Sequence, residues 1–255
     1  MSRTITIPLV LLCLTTQATA QGLNGEQIVR KVEEVNTAKD EKSTVELVLI
    51  TKDKRRQKRS METLFLKGEG EDDKSKLKFL TPENVRGLSL LTHEASGRSD
   101  DQWVYLPAFK KVKKIASSKR TNRFAQTDFT YEDLRTEDFS AFTYKKVQDK
   151  KVGDRAVFVV EATPKTLGTT GYSKRYIAVD KERWATLEIV YYDKKDRKQK
   201  TLTNMKFTQF GKYWRPGLSK MQDHLRGSTT AMKFTARKLN KGMPTTLFTV
   251  KSLER

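Results

Sequence analysis

The feature that most constrains the fold is a change of period near Ser43. From there to Leu239 the chain reads almost continuously as strand-like segments rich in Val, Ile, Thr, Tyr and Phe. Thr44 to Ile50 is the first. Others follow at 60–67, 75–80, 88–93, 102–106, 111–115, 142–147, 156–162, 174–179, 186–192, 200–210, 213–222 and 229–239. The links between them are short and turn-forming or charged: Gly68-Glu69-Gly70, Ser96-Gly97-Arg98-Ser99, Lys151-Val152-Gly153-Asp154 and Asp193-Lys194-Lys195-Asp196. Strands at this spacing, without helical crossovers, predict one antiparallel sheet that curls on itself. The expected class is mainly β (α+β).

One helix is expected, and it precedes the strands. Asn24 is a good N-cap, with Gln27 three residues on as in a capping box. Ile28, Val32 and Val35 then form one apolar stripe, with Lys31, Glu33 and Glu34 away from it. A single stripe is not stable alone, so this helix must cover something. Several strands are apolar on both faces. Trp103 and Tyr105 point one way while Val104 and Leu106 point the other. A sheet with one wet face alternates more cleanly. Two apolar faces suit a curved sheet with a helix inside and further packing outside, or a sheet with a ligand cavity on one face.

Residues 1–20 read as a cleavable signal peptide. Arg3 supplies the positive start, Ile5 to Leu14 a short apolar core, and Ala18-Thr19-Ala20 a small-residue cleavage site. The apolar run is too short for a permanent span. The mature chain is expected to begin at Gln21 and to form a single domain over 21–255. Cys13, the only cysteine, follows Leu12 rather than the small residue a lipidation site wants, and reads as a passenger. The mature chain then has no disulfide, thiolate nucleophile or cysteine-based metal site. The full 255-residue chain has 51 Lys+Arg against 31 Asp+Glu, a net +20. In the cytosol that balance suggests nucleic acid. An exported chain instead meets phospholipid head groups and acidic partner domains.

Catalysis has little support. His93 and His224 stand apart, with no metal-binding spacing, and no nucleophile elbow, phosphate loop or dinucleotide fingerprint occurs. The carboxylates at 69–73 fall in a polar link. Glu132-Asp133, with Glu137-Asp138 beyond, look like a helix start, where acids favour the dipole. No catalytic residue, metal or cofactor is expected. A hydrolase acting on an anionic polymer through Asp100-Asp101 or the other acids is the weaker alternative. The aromatics say more. Trp103, Tyr105, Phe109, Phe124, Phe129 and Tyr131 gather beside Lys110, Lys111, Lys113 and Lys114. Singly each reads as core. Together they fit an apolar depth with a cationic rim, which suits a lipid tail with an anionic head group. Single-stranded nucleic acid would also fit such a surface, but export argues against it. Further basic runs at 52–59, 145–146, 150–151 and 194–200 flank turns, as solvated tips or docking patches.

Three ordered motifs carry a family resemblance. Phe79-Leu80-Thr81-Pro82-Glu83-Asn84-Val85-Arg86-Gly87 is similar to an FLxPxxVxG approach. Asp101-Gln102-Trp103-Val104-Tyr105-Leu106-Pro107-Ala108-Phe109-Lys110-Lys111-Val112-Lys113-Lys114-Ile115 is similar to DQWLYLPALKRVRRI, and Asp128-Phe129-Thr130-Tyr131-Glu132-Asp133-Leu134 to DFTYEDL. With Tyr213-Trp214 and the close Phe248-Thr249-Val250-Lys251-Ser252-Leu253, the chain resembles the LolA-like outer-membrane lipoprotein-sorting family. It departs at Asn122-Arg123-Phe124-Ala125-Gln126, where the family more often has Ser, Gly and Met. The resemblance implies a half-open β-barrel with an N-terminal amphipathic helix and a short helical lid over an apolar cavity. It implies a periplasmic carrier that shields acyl chains of lipids or lipoproteins between envelope membranes, in some relatives alongside an RND-type lipid exporter. Partners would be the cargo, an inner-membrane transporter, an outer-membrane acceptor and an anionic membrane surface, with no nucleic acid and no metal or redox cofactor. Trp103, Tyr105, Phe129 and Tyr131 are expected to line or gate the cavity. Lys110, Lys111, Lys113 and Lys114 are expected to meet head groups or a partner. The alternative is a non-carrying adaptor that docks on an envelope transporter through its basic surface.

Overall fold

The computed structural model describes residues 22–68, 72–95, 100–135, 138–166 and 168–254. The expected signal peptide with Cys13, the turn residues 69–70 and 96–99, and Glu137 lie outside these.

Helix α1 (Gly25–Asn36) starts as its sequence dictates. The Asn24 side chain accepts from the Gln27 backbone N–H, and the Gln27 side chain accepts from the Asn24 N–H, both at 2.9 Å. Its buried stripe is Ile28 and Val29 with half-buried Val32, so Val29 rather than Val35 continues the contact. The helix lies very close to the sheet. A Cβ on Gly25 would sit 2.7 Å from the Tyr144 carbonyl, so only glycine permits that approach.

The strands are β1 (Asp40–Ile50), β2 (Arg56–Leu66), β3 (Lys74–Thr81), β4 (Ser89–His93), β5 (Asp101–Leu106), β6 (Lys111–Lys114), β7 (Phe142–Val152), β8 (Arg155–Pro164), β9 (Tyr172–Asp180), β10 (Thr186–Asp193), β11 (Lys198–Phe210), β12 (Tyr213–Asp223) and β13 (Ser228–Leu239). They form one antiparallel sheet of thirteen strands in the order β6-β5-β4-β3-β2-β1-β13-β12-β11-β10-β9-β8-β7. Each half is a meander, and the halves join where the first strand pairs with the last. Every expected strand is present, several extended by a few residues. The sheet is curled and unclosed, a half-open barrel. Its two edges, β6 and β7, are consecutive in sequence. The connection over residues 115–141 must therefore cross from one edge to the other over the inner face. The helical lid is realised there as single 3-10 turns, Ser117–Lys119, Glu132–Leu134 and Phe139–Ala141. The helix expected to start at Glu132 thus stops after one turn.

Strand parity separates two apolar faces. On the inner face Val45, Leu47, Met61, Leu77, Phe79, Leu90 and Val104 pack with Phe124 of the crossing segment. Further round, Val160, Ala162, Ile177 and Val179 pack against α1. On the outer face Leu64, Leu91, Trp103 and Tyr105 lie beneath Phe248 and Leu253 of two C-terminal 3-10 turns, Thr245–Phe248 and Val250–Glu254. The Lys76 ammonium donates to the Ser252 carbonyl at 2.6 Å and ties that terminal segment down. The two-faced apolar strands thus have a helix and crossing segment inside and terminal turns outside.

Candidate functional site

The inner face between α1 and the crossing segment is the candidate site, and it holds Phe129 and Tyr131 of the residues the sequence singled out. Phe124, 3% exposed, stacks on Phe79 at 5.9 Å between centroids and meets Tyr131 edge-on at 5.4 Å. Phe129 packs against Tyr172, Tyr191 and Met221 on the other half of the sheet. The Phe124 N–H donates to the Phe129 carbonyl, so the segment folds back and presents both rings to the sheet. At its tip Ala125 and Gln126 have φ of 48° and 62°, a left-handed geometry at two non-glycine residues. This is the stretch where the sequence departs from its family pattern.

Polar anchors hold the segment in place. Asp128 accepts from the hydroxyls of Ser228 and Thr230 on β13. Asp133 accepts from the Lys200 ammonium at 2.6 Å, and both side chains are almost fully buried. The Tyr172 hydroxyl and the Thr130 N–H also donate to Asp133. Burial, and then the Asp133 charge, push the Tyr172 hydroxyl well above its ordinary pKa, so it stays a donor. Glu132 accepts from the Thr170 hydroxyl and the Gly171 N–H. The acids at 132–133 thus anchor the segment. Sequence patterns gave no sign of Lys200 as their partner, because that ion pair spans distant strands.

Beneath the segment lies a pocket of about 210 Å³, lined by Glu41, Thr63, Phe65, Leu77, Leu90 and Leu134 among others. Ligand cavities are commonly about 300–1,000 Å³. The segment thus occupies inner-face volume that an apolar guest would need.

The residues expected to line or gate a cavity fall on two faces. Phe129 and Tyr131 lie with the inner clusters. Trp103 and Tyr105 lie outside, in the cluster covered by the terminal turns, where His93 meets Trp103 edge-on at 5.1 Å. The alternation Trp103-Val104-Tyr105-Leu106 already separated these sides, and it is Val104 and Leu106 that look inward. The four lysines lie at the β5–β6 hairpin. Lys111 pairs in register with Leu106 and Lys113 with Val104, which sets both on the inner side of the edge strand. Lys114 pairs with Trp103, bridges to Asp101 at 2.6 Å and sits 5.5 Å over the indole. Phe109, 69% exposed, stands at the hairpin tip next to Lys110.

Each histidine has a hydrogen-bond partner within the fold. His93 Nε2 is 2.7 Å from the Phe248 carbonyl, and His224 pairs with the Thr201 hydroxyl at 2.8 Å. Among the described residues no group of three or more His, Cys, Asp or Glu could hold a metal, and no helix is long and apolar enough to cross a membrane.

Comparison with known proteins agrees with this architecture. A family profile described as an uncharacterized protein matches residues 71–255. No curated protein sequence matches the chain. The chain is similar to a domain assigned to outer membrane lipoprotein sorting from Vibrio parahaemolyticus, at 30% identity and a TM-score of 0.86 over 91% of this chain and 98% of that one. A DUF1329 family protein from Desulfovibrio piger is similar at 26% identity and a TM-score of 0.85, over 90% of this chain and 97% of that one. A LolA superfamily protein from Nitrosomonas europaea shares the fold at 18% identity and a TM-score of 0.71, over 91% and 100%. With its half-open barrel, inner apolar face and near-complete overlap with these structures, the chain belongs to the LolA-like outer-membrane lipoprotein-sorting family.

Proposed function

We propose that this protein is a periplasmic carrier of acyl-bearing cargo, a lipid or a lipidated protein, between the membranes of the envelope. One observation carries this reading. The inner face of the open sheet is a broad apolar surface, closed by a helix and a crossing segment rather than by a further sheet.

The physical need for such a carrier is large. A buried acyl chain is worth about 0.8 kcal/mol per CH₂, so a sixteen-carbon chain costs on the order of 12 kcal/mol to expose. Apolar burial inside the barrel offsets most of that cost. In this reading the cargo displaces the rings of Phe124, Phe129 and Tyr131 from the sheet, and those rings act as plug and gate. Trp103 and Tyr105 back the wall from outside, holding β5 against the terminal turns. Lys110, Lys111 and Lys113, at the mouth-side edge, meet anionic head groups or an acidic face of a transporter, possible partners including an RND-type exporter. The test is transfer of a labelled phospholipid or lipopeptide between donor and acceptor vesicles. Acceleration in proportion to protein, and its loss in Phe129→Asp, support the carrier. No acceleration with any acyl cargo sinks it.

A second reading is an adaptor that carries nothing. It is favoured by the exposed Phe109 tip beside Lys110, Lys111 and Lys113, which suits docking in either case. An adaptor would bind its partner as well with the inner face blocked.

A further inference from the structure

The inner face is not apolar throughout. Glu41 on β1, Arg215 on β12 and Arg237 on β13 meet there, on three neighbouring strands. Parity puts them on the same side as Val45, Phe234 and Met221. Arg237 Nε forms an ion pair with one Glu41 carboxylate oxygen at 2.8 Å and donates to the Ser43 hydroxyl at 3.2 Å, while Arg215 Nε donates to the other Glu41 oxygen at 2.7 Å. Their Nη1 groups donate to the Pro216 and Trp214 carbonyls, both at 3.1 Å. Among the hydrogen bonds of the described residues, none uses Nη2 of either arginine. Aromatic rings hold both guanidinium planes: Arg237 lies 4.2 Å from the Phe234 ring and Arg215 5.6 Å from the Tyr213 ring.

Two cations share one carboxylate, so one positive charge is left over. It is left in a poor place for a charge, since the Arg237 side chain is 6% exposed and the Arg215 side chain 14%. A buried charge without a counter-ion is costly. The cluster also adjoins the pocket beneath Leu134, whose lining runs from Glu41 into Phe65, Leu77 and Leu90. Glu41 thus links the two arginines to a pocket whose wall mixes Phe65, Leu77, Leu90 and Leu134 with Thr63 and Thr92.

We propose that Arg215 and Arg237, positioned by Glu41, form the head-group end of the cavity and select an amphiphile whose head bears a net negative phosphate. The planar guanidinium fork fits a phosphate through paired donors, and the free Nη2 groups supply them. This inference rests on the carrier reading and assigns its specificity to the interior, not to the exposed lysines.

The test compares cargoes with identical chains. The full-length protein is incubated with vesicles of neutral carrier lipid containing dioleoylphosphatidylglycerol, dioleoylphosphatidylcholine or dioleoylglycerol, and bound lipid is quantified after separation. The expected result is a preference of about tenfold for phosphatidylglycerol over both others, the size of one hydrogen bond to a charged group. In R215Q/R237Q the preference disappears while dioleoylglycerol uptake is kept. In E41Q the local charge rises and the preference grows, which loss of a merely structural bridge would not produce. Equal uptake of all three by the natural protein overturns the inference and leaves the carrier reading standing. No uptake of any overturns the carrier reading first. Inorganic phosphate is titrated separately. Phosphate bound at this cluster without any head-group preference identifies a free-phosphate site and also overturns the proposal. The comparison on the natural protein stands even if a variant does not fold.

Discussion

Single residues decide how tightly the crossing segment is held. Lys200 and Asp133 form an ion pair shielded from water, with Tyr172 and Thr130 completing the acceptor's partners. Removing one member leaves the other charged and buried, which typically costs about 3–5 kcal/mol. Lys200→Met is therefore expected to lower stability by that order in urea unfolding, and Asp133→Asn by somewhat less, because the amide still accepts. A second residue-scale effect concerns acid. Burial pushes the Asp180 carboxyl up, but the Arg155 guanidinium and the backbone N–H groups of Glu182 and Arg183 outweigh it and hold it below its ordinary value. A depressed carboxyl pKa stabilises the fold above its unfolded value, near 3.9, and that contribution fades as pH falls through the folded value. Asp180→Asn should thus be less stable than the natural protein at neutral pH, with the gap closing as pH drops below about 4. A gap that is constant with pH would contradict this assignment.

At the scale of elements, α1 and the crossing segment are covers that complete the core on the inner face of the sheet. Gly25 lets α1 approach β7, since any Cβ there would press on the Tyr144 backbone. Gly25→Ala is expected to cost about 1–3 kcal/mol, the usual range for overpacking, and to raise hydrogen exchange in α1 ahead of the strands. Phe124→Ala removes a buried ring and opens the pocket beneath it. Its expected cost is about 3–5 kcal/mol, together with faster uptake of acyl probes if the ring is a plug. A destabilised variant with unchanged uptake would assign Phe124 to structure alone. This is also the scale at which the sequence is most and least legible. The capping box at Asn24 and the period-2 segments predict α1 and every strand, because both signals are local. What Trp103 and Tyr105 face was less legible. Alternation separates two sides of β5 but does not say which is inner, and that depends on Phe248 and Leu253, more than a hundred residues later. The ring-bearing crossing segment was readable as aromatic clustering. Its role as a plug depends on the two sheet edges being consecutive in sequence, a property of strand order. The Glu41, Arg215 and Arg237 cluster was not legible at all, since each is one charge among many in a chain of net +20.

For the whole molecule the pieces form one device. A thirteen-strand sheet that does not close leaves an inner face that must be covered. The cover is a short helix and an irregular segment, tied by a few polar anchors rather than a full hydrogen-bonded ladder. On the carrier reading proposed above, the strands are the scaffold and the covers the parts that cargo displaces. The outer surface, strongly basic and carrying Phe109 at an exposed hairpin, is suited to contact with anionic surfaces, a contact that salt should weaken. The central claim is that the inner face holds acyl chains. Its most direct test is mass spectrometry of an organic extract from the protein expressed from its full sequence and purified without detergent. The account predicts a reproducible acyl lipid at close to one per protein, lost or reduced in Phe129→Asp. A folded protein that is empty in every preparation, and that takes up no lipid when offered it, would contradict the claim.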